Sequence, residues 1–178
     1  FTLPTLDLTL HPPSPSTALP YRKADLDRDL SALIRMYDRS NRSRTAPVVR
    51  DEKYWKSQAG FPRLNPDLFW VVDENEEAVC YARGFIEKDI LKLLDFGYAL
   101  GRENRLHDLI AAMAEAAQKK TVRLSYMSQQ EVDLFTHWPS EVTENTTLMV
   151  RLLQLDSLSS FRTIFQPRNI LFWEADRF

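Results

Sequence analysis

Glycine is what this chain most lacks. Only four occur in 178 residues, Gly60, Gly84, Gly97 and Gly101. There are therefore few places where backbone can approach a bound anion without a side chain in the way. Cysteine is rarer still. Cys80 stands alone inside an apolar stretch, which excludes an internal disulfide and reads as a small buried hydrophobe. The three histidines, His11, His107 and His137, lie far apart and show no metal-ligand spacing, so no metal site is expected. His107 reads as a solvated or helix-capping residue, and His137 beside Trp138 as a loop histidine. No Gly-x-Ser-x-Gly motif marks a nucleophile elbow. Basic charge is not in excess: 23 Lys and Arg face 25 Asp and Glu, a formal net charge of −2. That balance excludes a broad attraction for nucleic acid. The one basic cluster, Arg39, Arg42, Arg44 and Arg50, has no interleaved aromatics and reads as a solvated loop. No apolar run approaches the roughly 20 residues that span a bilayer, and no basic-plus-apolar leader is visible. A cytoplasmic protein with no membrane partner is the expectation.

What is present is a regular alternation of strands and helices in an ordinary globular composition, 44% hydrophobic and 27% charged. Leu19–Ala24 is a short extended segment. Asp25 is placed to cap a helix whose apolar face is Leu26, Leu30, Leu33, Ile34 and Tyr37. A shorter helix over Asp51–Ala59 is anchored by Tyr54 and Trp55. Asp67–Asp73 reads as a strand, and the acidic turn Glu74–Glu77 leads into its hairpin partner, Ala78–Glu87. Ile90–Leu100 is a further strand, ending at Gly101. Leu106, Leu109, Ile110, Met113 and Ala117 then recur at helical spacing over Asn104–Lys119. Thr121–Tyr126 is a strand, Gln129–Trp138 a helix and Thr146–Leu155 a last strand. A helical crossover implies that Ile90–Leu100 and Thr121–Tyr126 are parallel neighbours.

The turn between Leu100 and Leu106 is the natural place for a phosphate. A strand that runs straight into a helix presents free amides and the positive end of the helix dipole. Here only Gly101 helps the backbone approach, and Glu103 puts a carboxylate where an anion would sit. Arg102 and Arg105 are the counterweight, since guanidinium groups hold phosphate directly.

In order and local residues the chain resembles the GCN5-related N-acetyltransferase (GNAT) superfamily. Four pieces carry the closer resemblance: Tyr21–Leu26 with Ala32, Leu33 and Met36–Asp38; Arg50–Trp55; Phe69–Val72; and Leu148–Leu152. These are similar to the second GNAT-like domain of tandem acetyltransferases of the enhanced-intracellular-survival type. The resemblance covers roughly Pro20 to Leu155. It implies an α+β, GNAT-like (acyl-CoA N-acyltransferase) fold, with a mixed, mostly antiparallel sheet flanked by helices. It also implies acetyl-CoA as the family cofactor, which Phe96, Arg102, Asn104 and Arg105 would face. Catalytic members carry Gln/Arg-x-x-Gly-x-Gly/Ala at this turn, and Leu100–Leu106 lacks it. In the tandem subgroup the second domain is the one that has lost it, so this domain is expected not to bind the cofactor. Its expected partners are an upstream GNAT domain or a second copy of the chain, with a small-molecule amine as the acceptor. A stand-alone acetyltransferase with an atypical phosphate turn, or a ligand-binding or dimerisation module, stays open.

The ends extend the reading. Phe1–Leu10 alternates apolar and polar residues and is followed by the linker-like His11–Thr17. Residues 1–18 are therefore expected to be the last strand of a preceding domain plus an interdomain linker, with the GNAT-like domain at 19–155. Residues 156–178 are expected to form a helix over Asp156–Phe165, stopped by Pro167, and an apolar aromatic tail. Members of the subgroup deliver a chain-terminal carboxylate into the first domain as a base. The ending Phe172–Phe178 resembles that pattern, which makes Phe178 the expected catalytic residue. The sterol-carrier-like domain that normally precedes such an ending is absent.

Overall fold

Asp25 ends an extended stretch and starts a helix. Its backbone is extended (φ −117°, ψ 110°), and its carboxylate accepts the Asp27 amide hydrogen at 2.9 Å, an N-cap bond. The computed structural model of the chain describes residues 5–15, 20–42, 48–58 and 66–145. The strand expected at Thr146–Leu155, the helix at Asp156–Phe165 and the tail ending in Phe178 fall outside the described residues.

Numbered along the chain, the strands are β1 (Thr5–Leu10), β2 (Tyr21–Lys23), β3 (Phe69–Glu74), β4 (Glu77–Glu87), β5 (Ile90–Tyr98), β6 (Thr121–Met127) and β7 (Ser140–Asn145). The helices are α1 (Leu26–Asn41), α2 (Glu52–Gln58), α3 (Glu103–Ala116) and α4 (Gln129–Leu134). A single 3₁₀ turn, Pro66–Leu68, precedes β3. Among the described residues these seven strands form one sheet in the order β2-β3-β4-β5-β6-β1-β7. Every neighbouring pair is antiparallel except β5–β6, which is parallel across the α3 crossover. The expected parallel pair is thus present, in a mixed and mostly antiparallel sheet.

The two-residue loop Asn75-Glu76 closes the β3–β4 hairpin. Both residues have positive φ, 50° and 66°, the type I′ geometry that matches strand twist. Between β4 and β5 the register slips from Arg83↔Asp95 to Gly84↔Leu93, leaving Leu94 as an extra residue on β5. Such a bulge bends the strand that carries it. The parallel ladder of β5 with β6 is registered at Ile90↔Thr121, Leu91↔Val122 and Lys92↔Arg123. Beyond Lys92 the two strands run apart.

Helices pack on both faces. Tyr81, Arg83 and Asp95 point to the face that meets Tyr37 of α1 and Trp55 of α2. Phe96 points to the other face, edge-on to Phe135, which follows α4 and packs on His107 of α3. Strand alternation explains the split. Gly97 permits the first face to close: a Cβ there would lie 2.4 Å from the Tyr81 ring.

Two expectations are corrected here. The buried side of α1 is Asp29, Ala32, Leu33, Met36 and Tyr37, while Leu26, Leu30 and Ile34 are only half-buried. The helix is turned so that Asp29 meets Arg22, whose guanidinium donates to both carboxylate oxygens at 2.7 and 2.6 Å. Second, Thr5–Leu10 lies inside this sheet, between β6 and β7. The Pro-rich stretch after it therefore joins two strands of one sheet. Four strands separate β1 from β2, about 24 Å of sheet at ~4.8 Å per strand, which an extended run of this length spans.

Candidate functional site

The turn after β5 was the expected cofactor site, and its geometry can be followed bond by bond. The Ala99 amide donates to Val79 O at 2.7 Å and the Arg102 amide to Ala99 O at 3.1 Å. Gly101 takes φ +71°, a conformation that disfavours a side chain. Arg102 occupies the N-cap of α3 but makes no side-chain cap bond, and Glu103 brings a carboxylate into the first turn. A carboxylate there is favoured by the helix dipole.

Arg102 and Arg105 do converge, but on a carboxylate. Arg102 Nε donates to one oxygen of Glu74 at 2.7 Å and Arg105 Nε to the other at 3.0 Å. The hydrogen bond from Arg105 is the largest of the effects that hold the Glu74 carboxyl below its ordinary range. Glu74 ends β3, so the neighbouring hairpin supplies the anion. Asn104 is exposed. Phe96 is 3% exposed and belongs to the core. Its edge also lines a cavity of about 240 Å³ at the opening between β5 and α4, with Tyr98, Glu103, Gln130 and Glu131, and with Arg39 and Ser40 at the end of α1. That volume is below the range of pockets that hold drug-sized ligands. Glu131 is buried there by a capping box with Ser128, whose amide donates to it at 3.1 Å.

On the opposite face a second carboxylate collects two arginines. Arg83 donates to Asp95 through Nε at 2.7 Å and Nη2 at 2.6 Å, and Arg50 donates to Asp95 Oδ2. All three side chains are at most 2% exposed. Burial pushes the Asp95 carboxyl up, but Arg83 and Arg50 together outweigh it and hold the group below its ordinary range. The Arg50 guanidinium lies over the Tyr37 ring at 4.1 Å, and that of Arg83 over the Trp55 ring at 5.1 Å. Arg50, expected in a solvated basic loop, is instead one of the most buried of the described residues. The cluster pins α1 and α2 to the sheet.

His107 is corrected too. It is 8% exposed, not solvated, and packs on Phe135, Trp138 and the His137 ring, whose centroid is 4.3 Å away. Among the described residues its Nε2 has no hydrogen-bond partner. Burial, and then the neighbouring His137, push its pKa down to about 4. Burial likewise pushes the Cys80 thiol up to about 12, as an inert core residue requires. Among the described residues no group of three His, Cys, Asp or Glu side chains is placed to hold a metal, and no helix is long and apolar enough to cross a membrane.

Comparison with solved structures identifies the fold. A GCN5-related N-acetyltransferase from Anabaena variabilis matches 81% of this chain with a TM-score of 0.53 at 10% identity. A conserved protein of Enterococcus faecalis, described as a probable N-acyltransferase, matches 79% with a TM-score of 0.55 at 11% identity. The matched parts are 39% and 38% of those proteins, so this chain spans about two fifths of their length. At such identities the likeness shows the fold, which is the GNAT fold. Eis1 of Mycobacterium abscessus matches 71% of this chain and 34% of its own at 12% identity, with a TM-score of 0.43, too remote to assign a subgroup. No protein-family model matches the chain, and no curated protein matches it in sequence.

Proposed function

We propose that this chain is a GNAT domain that does not bind acetyl-CoA and serves a neighbouring catalytic domain, as the second domain of a tandem acetyltransferase. One observation carries the reading. The two guanidinium groups at the phosphate turn are both engaged by Glu74, and Glu103 adds a second carboxylate at the helix start. A pyrophosphate approaching this turn meets two negative charges and two cations already paired. It also meets side chains at every position but Gly101. The donor set does not fit the cofactor. The role left to the domain is architectural: it buttresses an upstream GNAT domain, or a second copy of itself, and walls part of the site for an amine acceptor. In this reading the Phe178 carboxylate is the one reacting group the chain would contribute, acting as a base in the neighbouring site.

Calorimetric titration with acetyl-CoA tests the first part. No saturable binding in the micromolar range is expected, and such binding would replace this reading with that of a stand-alone acetyltransferase. Extension tests the second. One or two residues added after Phe178 in the full-length protein should cut turnover while leaving folding intact, because a misplacement of about 1 Å costs on the order of a hundredfold. Unchanged turnover would remove Phe178 from the mechanism.

A further inference from the structure

The end of α1 and the start of β4 enclose a cleft of about 640 Å³ on the sheet face opposite α3. This is the size range of small-molecule sites. Its floor is apolar, built by Met36, Ala78, Val79 and Ala99, and its rim carries Arg35, Arg39 and Arg42. The spacing i, i+4, i+7 puts all three guanidinium groups on one side of the helix. Arg35 is spoken for, since it pairs with Glu77. The side chains of Arg39 and Arg42 make no ion pair or hydrogen bond among the described residues. The helix C-terminus tolerates cations there through its dipole, but that interaction leaves every N–H of both forks available. Asp38, also on the rim, forms no ion pair with either.

Two forked cations about one helical turn apart, beside an apolar floor, suit a phosphate group carried on an apolar body. Guanidinium groups bind phosphate oxygens in pairs, and the floor offers a surface for the rest of the molecule. We infer that this cleft binds a small organic phosphate, held by Arg39 and Arg42. The cleft adjoins the phosphate turn through Ala99, but the two cations that would hold the phosphate stand on α1, so their loss and the loss of Arg102 and Arg105 are separable.

The test uses phenyl phosphate as the probe, titrated into the full chain by calorimetry, with inorganic phosphate alongside. Saturable binding of phenyl phosphate is expected, tighter than that of inorganic phosphate. The double variant Arg39→Gln/Arg42→Gln should weaken it about tenfold or more, as loss of charge-assisted hydrogen bonds does. Both residues are exposed, so circular dichroism should show an unchanged fold. The double variant Arg102→Gln/Arg105→Gln should leave binding as it was. Glu77→Gln, which releases Arg35, should tighten it. The inference is overturned if no saturable binding occurs in the millimolar range, if inorganic phosphate binds equally well, or if binding follows Arg102 and Arg105.

Discussion

Two carboxylates in this domain each hold two arginines, and they do different things. Asp95 gathers Arg50 and Arg83 in the core, where none of the three side chains reaches solvent beyond 2%. Glu74 gathers Arg102 and Arg105 at the surface, where both arginine side chains stay more than 40% exposed. The stoichiometry is the same and the surroundings decide the outcome. In the core, each charge exists only because the others compensate its desolvation, so the cluster is a structural unit. At the surface water screens every charge, so the ion pairs contribute little to stability. In the proposed reading, what they control is which anion the turn can accept.

The largest effect should follow from breaking the buried set. Asp95→Ala leaves two guanidinium groups uncompensated in the core and should cost about 3–5 kcal/mol, seen as a large drop in melting temperature or as failure to fold. Next comes the buried histidine. The pKa of His107 is lowered to about 4 from an ordinary 6.5, so the unfolded chain binds the proton first. The stability that depends on neutral His107 is complete above pH 6.5 and lost as pH falls towards 4. The loss should be on the order of 2–3 kcal/mol, and His107→Leu should flatten denaturant midpoints across that window. Asp95 and Glu74 act at lower pH. Both carboxyls are held below their ordinary range, so their contributions are complete above that range and are lost as pH falls from it through the lowered values.

The surface set should respond more mildly. Gly101→Ala should cost about 1 kcal/mol, from the positive φ alone; no atom lies within 4 Å of the added methyl. Glu74→Gln should leave the thermal melt where it is while releasing Arg102 and Arg105. Titration with inorganic pyrophosphate would then detect a gain in binding that the parent chain lacks. No gain would mean that Glu103 and the crowded turn, and not Glu74, exclude the anion.

The fold was largely legible in the sequence because its elements carry local signals. The Asp25 cap, the α3 periodicity and the acidic two-residue turn each depend on neighbours within a few positions. β7 escaped notice because Ser-Glu-Val-Thr-Glu-Asn has one apolar residue, Val142, and the strand is exposed on both faces. Helix α4 starts where the Ser128-x-x-Glu131 capping box places it but ends at Leu134, short of the expected Trp138. The site was less legible. Arg102 and Arg105 stand out in the sequence as candidate phosphate ligands, but the partner they meet, Glu74, is 28 and 31 positions away and reads as one more turn residue. Arg50 sits five positions from Trp55, which hinted at burial. Its true partner, Asp95, lies 45 positions on.

The place of β1 carries one more consequence, for the order of folding. Thr5 hydrogen-bonds to Asn145 across a separation of 140 residues. Leu8 and Leu10, both 0% exposed in the finished sheet, have their partner strands only after β6 and β7 have been synthesised. Until then an apolar strand near the start of the described chain has no neighbour. Pairings this remote in sequence form slowly, on the millisecond-to-second scale typical of nonlocal sheets, and an unsatisfied strand is open to self-association meanwhile. The β2–β5 meander, whose pairings from β3 to β5 are hairpins, is the natural nucleus. Insertion of β1 between β6 and β7 is then the closing step, and β1 is the segment a chaperone would meet exposed.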